Sequence, residues 1–547
     1  MNNAVFIFDY PTNEPVKSYS PGSRDRKELQ TELDRLSSTQ LEIPLIIGGK
    51  EVFTNDMGTV TMPHDHGHVL ARYHKAGEKE VKLAIDSAMK AHREWESFSW
   101  FERASVTLKA AELLSKKYRM LINAATMLGQ GKSAYQAEID AACETIDFLR
   151  FNAHFISDIY NEQPHSDPGI INRLEYRPLE GFVFAVTPFN FTAIASNLNM
   201  APVLMGNTNL WKPATTSILS NYILMQVFKE AGLPDGVINF IPGSGNTVGE
   251  QVMSDKNFAG LHFTGSNRTF NKLWQTTAAN LDNYRSYPRI VGETGGKDFI
   301  LVHPSADVDE VATALVRGSF EYQGQKCSAA SRAYLPESLW NSIRERVGEM
   351  LSEIKVGDVR DFSNFMNAVI DEKSFDNIDN YVKSARNSSN AEIVFGGVGD
   401  KSKGYFYQPT VIRVFDPNFV TMSEEIFGPV LSIFVYKDKD FDVTVKLVDD
   451  TSPYGLTGSI FAQDRGVLVK VAEALKYAAG NFYFNDKPTG AVVGQQPFGG
   501  SRKSGTNDKA GSHLNLLRWI SPRTIKETLV PPKDYKYPFM KEDKCHE

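Results

Sequence analysis

The 547-residue chain is predicted to be an α/β protein, on three features of its sequence. From Gly181 to Asn280, short continuous apolar runs alternate with amphipathic helical patterns. That is how right-handed βαβ units around a parallel sheet with helices on both faces read in sequence. A second alternating run, from about 298 to 480, makes a second α/β unit. Between them in character is Pro164-His165-Ser166-Asp167-Pro168-Gly169, which breaks a helical pattern and leads into an extended ribbon, Ile170 to Pro178. Such a ribbon reads equally as a flap reaching a partner subunit or as a plain surface hairpin.

Length and composition bound the answer. A chain this long exceeds one ordinary core and suggests two or three domains. Apolar residues at 41% and charged residues at 23% are those of a soluble globular protein. The net charge of −7 carries no long basic block, so neither nucleic acid nor a membrane surface is an expected partner. Cysteines at 143, 327 and 545 cannot form a disulfide framework and fit a reducing compartment. Met1 to Asp9 lacks the flank and apolar core of a signal peptide and the Arg-rich character of a transit peptide. No apolar run approaches the ~20 residues that span a bilayer. The expected location is the cytoplasm, with the mitochondrial matrix as the alternative for a eukaryotic protein already freed of its presequence.

In chain order, residues 1 to about 45 are polar with scattered apolar anchors and read as an arm or as a helix, Arg24 to Leu36. Leu45-Ile46-Ile47 is a strand entering the turn Gly48-Gly49-Lys50. His64, His66 and His68 alternate as metal ligands on one strand face would, but Pro63 and Gly67 favour a loop and no second cluster completes a shell. No metal is expected. Helical patterns follow over roughly 78–97, 101–129 and 133–159. Strands at Phe182–Val186, Thr208–Lys212, Val237–Ile241 and Leu261–Phe263 alternate with helices, and ligands bind such sheets at the carboxyl ends of their strands. The loops 187–191, 212–217, 243–246 and 264–268 cluster there. From about Ser512 the chain is again extended and polar.

Several residue groups carry chemistry. Cys327 follows a helical pattern, Val311 to Tyr322, and sits among small and polar residues beside Lys326. A neighbouring cation at a helix terminus lowers a thiol pKa and frees the thiolate; the competing reading is a buried, inert thiol. Glu293 is flanked by Gly292, Gly295 and Gly296, open enough to handle water as a general base, although most glutamates are solvated surface groups. Asn190 ends the Phe182 strand, where its carboxamide would either donate to an oxyanion or cap a helix. Gly265 and Ser266 open a helix after a strand, a setting that suits phosphate oxygens. Lys212 at a strand end would reach ribose or phosphate, or simply solvent. Pro242 to Gly249 spaces its glycines G-x-G-x-x-x-G, so it is a weak dinucleotide motif.

Thr-Pro-Phe-Asn-Phe, Lys-Pro, Phe-Thr-Gly-Ser, Glu-x-Gly-Gly-Lys, Gly-Gln-x-Cys, Glu-Glu-Ile-Phe-Gly-Pro and Pro-Phe-Gly-Gly-x-x-x-Ser-Gly occur in this order between 187 and 505. That set resembles the aldehyde dehydrogenase superfamily over nearly the whole chain. Gly324 to Ser328, Asn485-Asp486-Lys487, Gly494 to Gly500 and Gly505 to Lys509 are similar to its pyrroline-5-carboxylate (glutamate semialdehyde) dehydrogenase branch.

The resemblance implies a Rossmann-like parallel-sheet cofactor domain (1–163 and 179–297), a second α/β catalytic domain (298–511), and a small β-flap oligomerisation element with a C-terminal extension (164–178 and 512–547). It makes Cys327 the nucleophile, Asn190 with the Cys327 N–H the oxyanion site, and Glu293 the base that activates water. It places the cofactor NAD against Thr187, Lys212, Gly265, Ser266, Glu425 and Phe427. Substrate residues are Lys326, Ser328, the backbone of Gly490 and Ala491 for a carboxylate, and Phe191 and Phe498 around the aliphatic stem. The implied reaction is oxidation of glutamate γ-semialdehyde, the second step of proline catabolism, by a homodimer or larger homo-oligomer linked functionally to a separate proline dehydrogenase. The alternatives are another short carboxylate-bearing semialdehyde, or a non-catalytic protein on the same scaffold.

Overall fold

The computed structural model describes residues 6–541. Cys545 and the start of the leader reading, residues 1–5, lie outside them. Two seven-stranded sheets dominate. The first runs in the order Arg289–Glu293, Phe258–Thr264, Phe182–Val186, Thr208–Lys212, Ile238–Phe240, Leu45–Ile47, Lys50–Val52. The second runs Ala391–Phe395, Thr410–Val414, Val430–Tyr436, Ala330–Pro336, Asp298–Val302, Thr457–Phe461, Asn481–Phe484. All neighbours are parallel except the edge pairings of Leu45–Ile47 and Ala391–Phe395. The central strands are apolar on both faces because helices cover both: Phe182, Val183, Phe184 and Ala185 are all buried.

Helix ends follow side-chain caps. Ser23 caps Arg24–Ser37, whose Leu29, Leu33 and Leu36 are buried at helical spacing. Ser266 caps Asn267–Ala279, and Asp307 caps Val308–Phe320 through two backbone amides. The predicted βαβ alternation is present with boundaries within a few residues.

Three expectations need correction. The pattern over 101–129 is two helices, Trp100–Ser115 and Arg119–Gln130. The chain turns between them where Arg119 is drawn inward to pair with Glu14 and Glu138, contacts that apolar periodicity does not encode. The pattern over 133–159 contains a π-helical stretch, Glu138–Glu144, between Ala134–Ala137 and Thr145–Asn161. Its wider turn re-aims the side chains that follow. The histidine segment is a hairpin, Met57–Met62 with Asp65–His74, rather than a loop. Its imidazoles diverge: His66 meets the carbonyl of Lys401 and His68 that of Ser37. His64 is buried in the turn, where burial pushes its pKa down to about 4. Among the described residues, no group of three His, Cys, Asp or Glu is placed to hold a metal, and no helix is long and apolar enough to cross a membrane.

After a short helix, His513–Leu516, the chain forms strand Ile520–Thr528, which pairs antiparallel with Ile170–Pro178 along its whole length. The ribbon is thus made from both ends of the predicted flap and extension. Buried Trp519 roots it, its ring 4.6 Å from that of His262 in the first sheet.

Candidate active site

The carboxyl edge of the first sheet, where Glu293 ends its strand, meets the amino edge of the second, where Gly296, Cys327 and Phe427 lie just ahead of strands Asp298–Val302, Ala330–Pro336 and Val430–Tyr436. Helix Val308–Phe320 ends in a tight turn over Glu321–Gly324 in which Tyr322 and Gln323 have φ of 52° and 55°. Left-handed backbone at non-glycine residues costs on the order of 1 kcal/mol or more each and persists only when the surroundings over-determine it. Here they do. The Gln323 carboxamide donates to the carbonyls of Gly131 and Ala368 at 2.8 and 2.9 Å and accepts from the Asn367 N–H at 3.0 Å. Gln325 accepts from the Ile370 N–H at 2.9 Å. Gly324, at φ 67°, packs so closely on the Gly428 carbonyl that a Cβ would overlap it. Cys327 leaves this brace only 8% exposed, just ahead of strand Ala330–Pro336.

Asn190 is buried, and its Nδ2 donates to the Gln325 carbonyl at 3.0 Å, which fixes the carboxamide beside the nucleophile loop. The helix that follows, Thr192–Leu204, is capped from outside: Asp140 accepts from the Thr192 and Ala193 N–H groups at 3.0 and 2.9 Å. Lys132 completes that node, 2.7 Å from Asp140 and beneath the rings of Phe191 and Tyr322 at 4.0 and 4.5 Å.

Glu293 ends strand Arg289–Glu293, in register with Thr264 of its neighbour. Gly505 bridges the same residue from the other side. Glu293 Oε1 is buried without a hydrogen-bond partner. Burial pushes the carboxyl up to about 7, with Lys509 pulling the other way. A carboxyl poised there can take a proton near neutral pH. The next turn threads between nucleophile and second sheet. A Cβ on Gly296 would crowd the Cys327 carbonyl, and one on Gly295 would overlap the Glu425 carboxylate.

The expectation that Lys326 activates the thiol is overturned. Its ammonium turns away to Glu321, 3.2 Å distant, which also accepts from Arg317 at 2.8 Å. Burial pushes the Cys327 thiol well up, and the carboxylates of Glu293, Asp298, Glu425 and Glu144 push in the same direction. The resting sulfur is therefore a thiol, and a base must take its proton.

One cavity of about 290 Å³ is lined by Cys327, Glu293, Lys326, Ser328, Phe191, Phe498, Gly490 and Ala491 together. Ser328 Oγ lies 2.8 Å from Thr489 Oγ1, joining nucleophile loop to anchor loop. Gly490, at φ 100°, leaves room beside it: a Cβ there would stand 3.4 Å from Lys487 Nζ. Gly490, Ala491, the Ser328 and Thr489 hydroxyls and Lys487 thus line the same cavity with polar groups of the kind that suit a carboxylate.

The remaining predicted residues lie outside that cavity. Lys212 ends strand Thr208–Lys212, and its Nζ reaches only the Pro213 carbonyl, at 3.2 Å, while burial pushes its pKa down. Gly265 donates to the Glu293 carbonyl at 3.2 Å. Ser266 caps Asn267–Ala279, whose other first-turn amides are left for an anion. Thr187 accepts from the Trp211 indole at 2.9 Å, so its hydroxyl serves the sheet. Glu425 accepts from the Gly296 N–H at 3.1 Å and is held near 7 by burial. Phe427, at φ 59°, sets its ring 5.8 Å from that of Phe189. A lysine without a carboxylate partner, an open helix start and an acid along one strand edge fit a dinucleotide.

The aldehyde dehydrogenase family pattern matches residues 53–525. The chain belongs to that family. The delta-1-pyrroline-5-carboxylate dehydrogenase of Dictyostelium discoideum, named as mitochondrial, is 54% identical over 533 residues, 97% of this chain and 96% of that protein. A crystal structure of the delta-pyrroline-5-carboxylate dehydrogenase from Mycobacterium tuberculosis bound with NAD superposes with a TM-score of 0.96 at 48% identity, covering 99% of this chain and 100% of that one. A proline utilization A structure from Bdellovibrio bacteriovorus matches at 27% identity with a TM-score of 0.90, covering 95% of this chain and 53% of that one.

In this aldehyde dehydrogenase the sequence reading missed Glu144. It closes the π-helical stretch, lines the same cavity as Cys327, and is pushed well above the usual carboxylate range, chiefly by burial. An acid just after the apolar run Ala141 to Cys143 was the available signal.

Proposed function

We propose that this chain oxidises L-glutamate γ-semialdehyde, the open form of delta-1-pyrroline-5-carboxylate, to L-glutamate with NAD. One observation carries the substrate: the cavity that holds Cys327 and Glu293 also holds a carboxylate cradle at Thr489 to Ala491 and an acid, Glu144. A substrate with an aldehyde at one end and a carboxylate at the other meets a partner at each end. Phe191 and Phe498 line the wall between and flank its methylene stem. The NAD-bound relative and the full-length identity to pyrroline-5-carboxylate dehydrogenases support the same reading.

Glu293, poised near 7 and lining the same cavity as the sulfur, takes the Cys327 proton. The thiolate adds to the aldehyde carbon, forming the C–S bond, and the oxyanion is held by Asn190 Nδ2 and the Cys327 N–H. NAD, when bound against Lys212, Gly265, Ser266, Glu425 and Phe427, supplies the hydride acceptor. The acyl group then rests on Cys327 as a thioester. Once Glu293 has passed the first proton to solvent, it takes a proton from water; the hydroxide attacks the acyl carbon, the C–S bond breaks to release the acid, and Glu293 returns the proton to the sulfur.

Steady-state assays test this: NADH should form with the semialdehyde, and Cys327→Ala should lose at least about 10³-fold in kcat. Full activity in that variant would end both the mechanism and the enzyme reading. Comparing kcat/KM for the semialdehydes of succinate, glutarate and glutamate tests the substrate, with the last expected to be preferred.

Residues 1–163 and 179–297 serve the cofactor, residues 298–511 catalysis, and the ribbon of 164–178 with 512–547 self-association as a homodimer or larger. Of the two compartments considered, the mitochondrial matrix has the support of the slime-mould relative's name. A separate proline dehydrogenase would supply the substrate, a link supported by the likeness to one half of proline utilization A.

A further inference from the structure

The N-terminal arm lies far from the catalytic residues in sequence, yet Asn13, Glu14 and Val16 line the same cavity as Cys327. Two left-handed glycines, Gly490 at φ 100° and Gly494 at φ 81°, bound the segment that carries the carboxylate cradle, so its backbone amides aim only as well as that segment is held. Val493 packs on Phe148 and Phe151, and the arm adds the polar part of the hold. Asn13 Nδ2 donates to the Val493 carbonyl at 2.8 Å, and Asn13 Oδ1 accepts from Gln495 Nε2 at 2.8 Å. The Tyr10 hydroxyl donates to the Gly494 carbonyl at 3.0 Å.

The arm is itself anchored to the helical layer rather than to the loop alone. Asn13 Nδ2 and the Glu14 N–H both donate to the Asp147 carboxylate, at 2.8 and 2.7 Å. The Glu14 side chain, nearly buried, pairs with Arg119 and with Arg150. Asn13 therefore hydrogen-bonds both the helix Thr145–Asn161 and the anchor loop, which also pack on each other through Phe148, Phe151 and Val493.

We propose that Asn13 is a positioning residue for the substrate carboxylate, acting through the loop 490–494, so that the arm sets preference for carboxylated aldehydes. This rests on the reading of Gly490 and Ala491 as the carboxylate cradle. The hydride-transfer and hydrolysis groups, Cys327, Asn190 and Glu293, receive no hydrogen bond from Asn13. Selectivity and turnover are thus separable.

The test is kcat/KM on glutamate γ-semialdehyde and on propanal, which lacks the carboxylate, for wild type, Asn13→Ala and Gln495→Ala. In Asn13→Ala the ratio of the two should fall about tenfold, through KM for the semialdehyde, with a smaller fall in the same direction in Gln495→Ala. L-Glutamate, read as a competitive inhibitor, should weaken in parallel. A wild type that does not prefer the semialdehyde to propanal would overturn the substrate reading and this inference with it. A wild type that discriminates, beside variants that discriminate equally well or lose both activities in proportion, would overturn the inference alone. If Asn13→Ala does not fold, Gln495→Ala, altered at an exposed side chain, decides alone by the same ratio.

Discussion

Glu293 holds its proton to about pH 7 because its carboxyl is buried with one oxygen unpartnered. In its proposed role as base it must lose that proton, so activity should rise with pH through about 7, and Glu293→Gln should cost about 10²-fold or more and abolish that limb. Stability moves the other way. The folded state binds this proton more tightly than the unfolded chain, whose carboxyl titrates near 4.5, so the site's contribution falls as pH rises from 4.5 to 7. The charged form opposes folding by at most about 3 kcal/mol. Glu293→Gln should therefore melt above wild type at pH 8, with the gain fading as the pH approaches 4.5; a lower melting temperature at pH 8 would contradict this. Lys132 is the opposite case, a buried cation whose removal strands a buried carboxylate. Lys132→Met should destabilise by about 3–5 kcal/mol, with partial recovery in a double variant carrying Asp140→Asn, as read by denaturant unfolding.

The turn before Cys327 stores strain that Gln323 restrains through three hydrogen bonds. Gln323→Ala should let Tyr322 and Gln323 relax and displace the sulfur, lowering kcat about 10²-fold with a smaller change in KM. Unaltered kcat would mean that the backbone alone holds the loop. The strand–helix alternation of the first sheet was legible in sequence because a strand covered on both faces must be apolar throughout. The break at 116–118 and the π-helical stretch at 138–144 were not. Both follow from polar side chains pulled toward distant partners, Arg119 to Glu14 and Asp140 to Lys132 and the Thr192 amide.

At the scale of the molecule, the ribbon Ile170–Pro178 with Ile520–Thr528 has two open edges and packs on the body only near its root. A two-stranded ribbon is marginal alone in water, and beyond it Leu529, Val530, Tyr535, Tyr537 and Phe539 are exposed. A chain ending at Ile520 is expected to sediment as a monomer, and the full chain as a dimer or larger. Equal sedimentation of the two would remove the ribbon's role in self-association.

The strand–helix alternation and the ordered motifs from Thr187 to Gly505 determined the fold class and the family, and singled out Cys327, Glu293 and Asn190 as candidates, because such groups sit at strand or helix ends and such ends carry local marks. What the tertiary structure alone decided is their chemical state and setting. Lys326, adjacent to Cys327 in sequence, points to Glu321, while Glu144 and the arm at Asn13 come to the cavity from far along the chain. A pKa depends on burial and on whichever charges folding brings near, and neither distance is written in residue order.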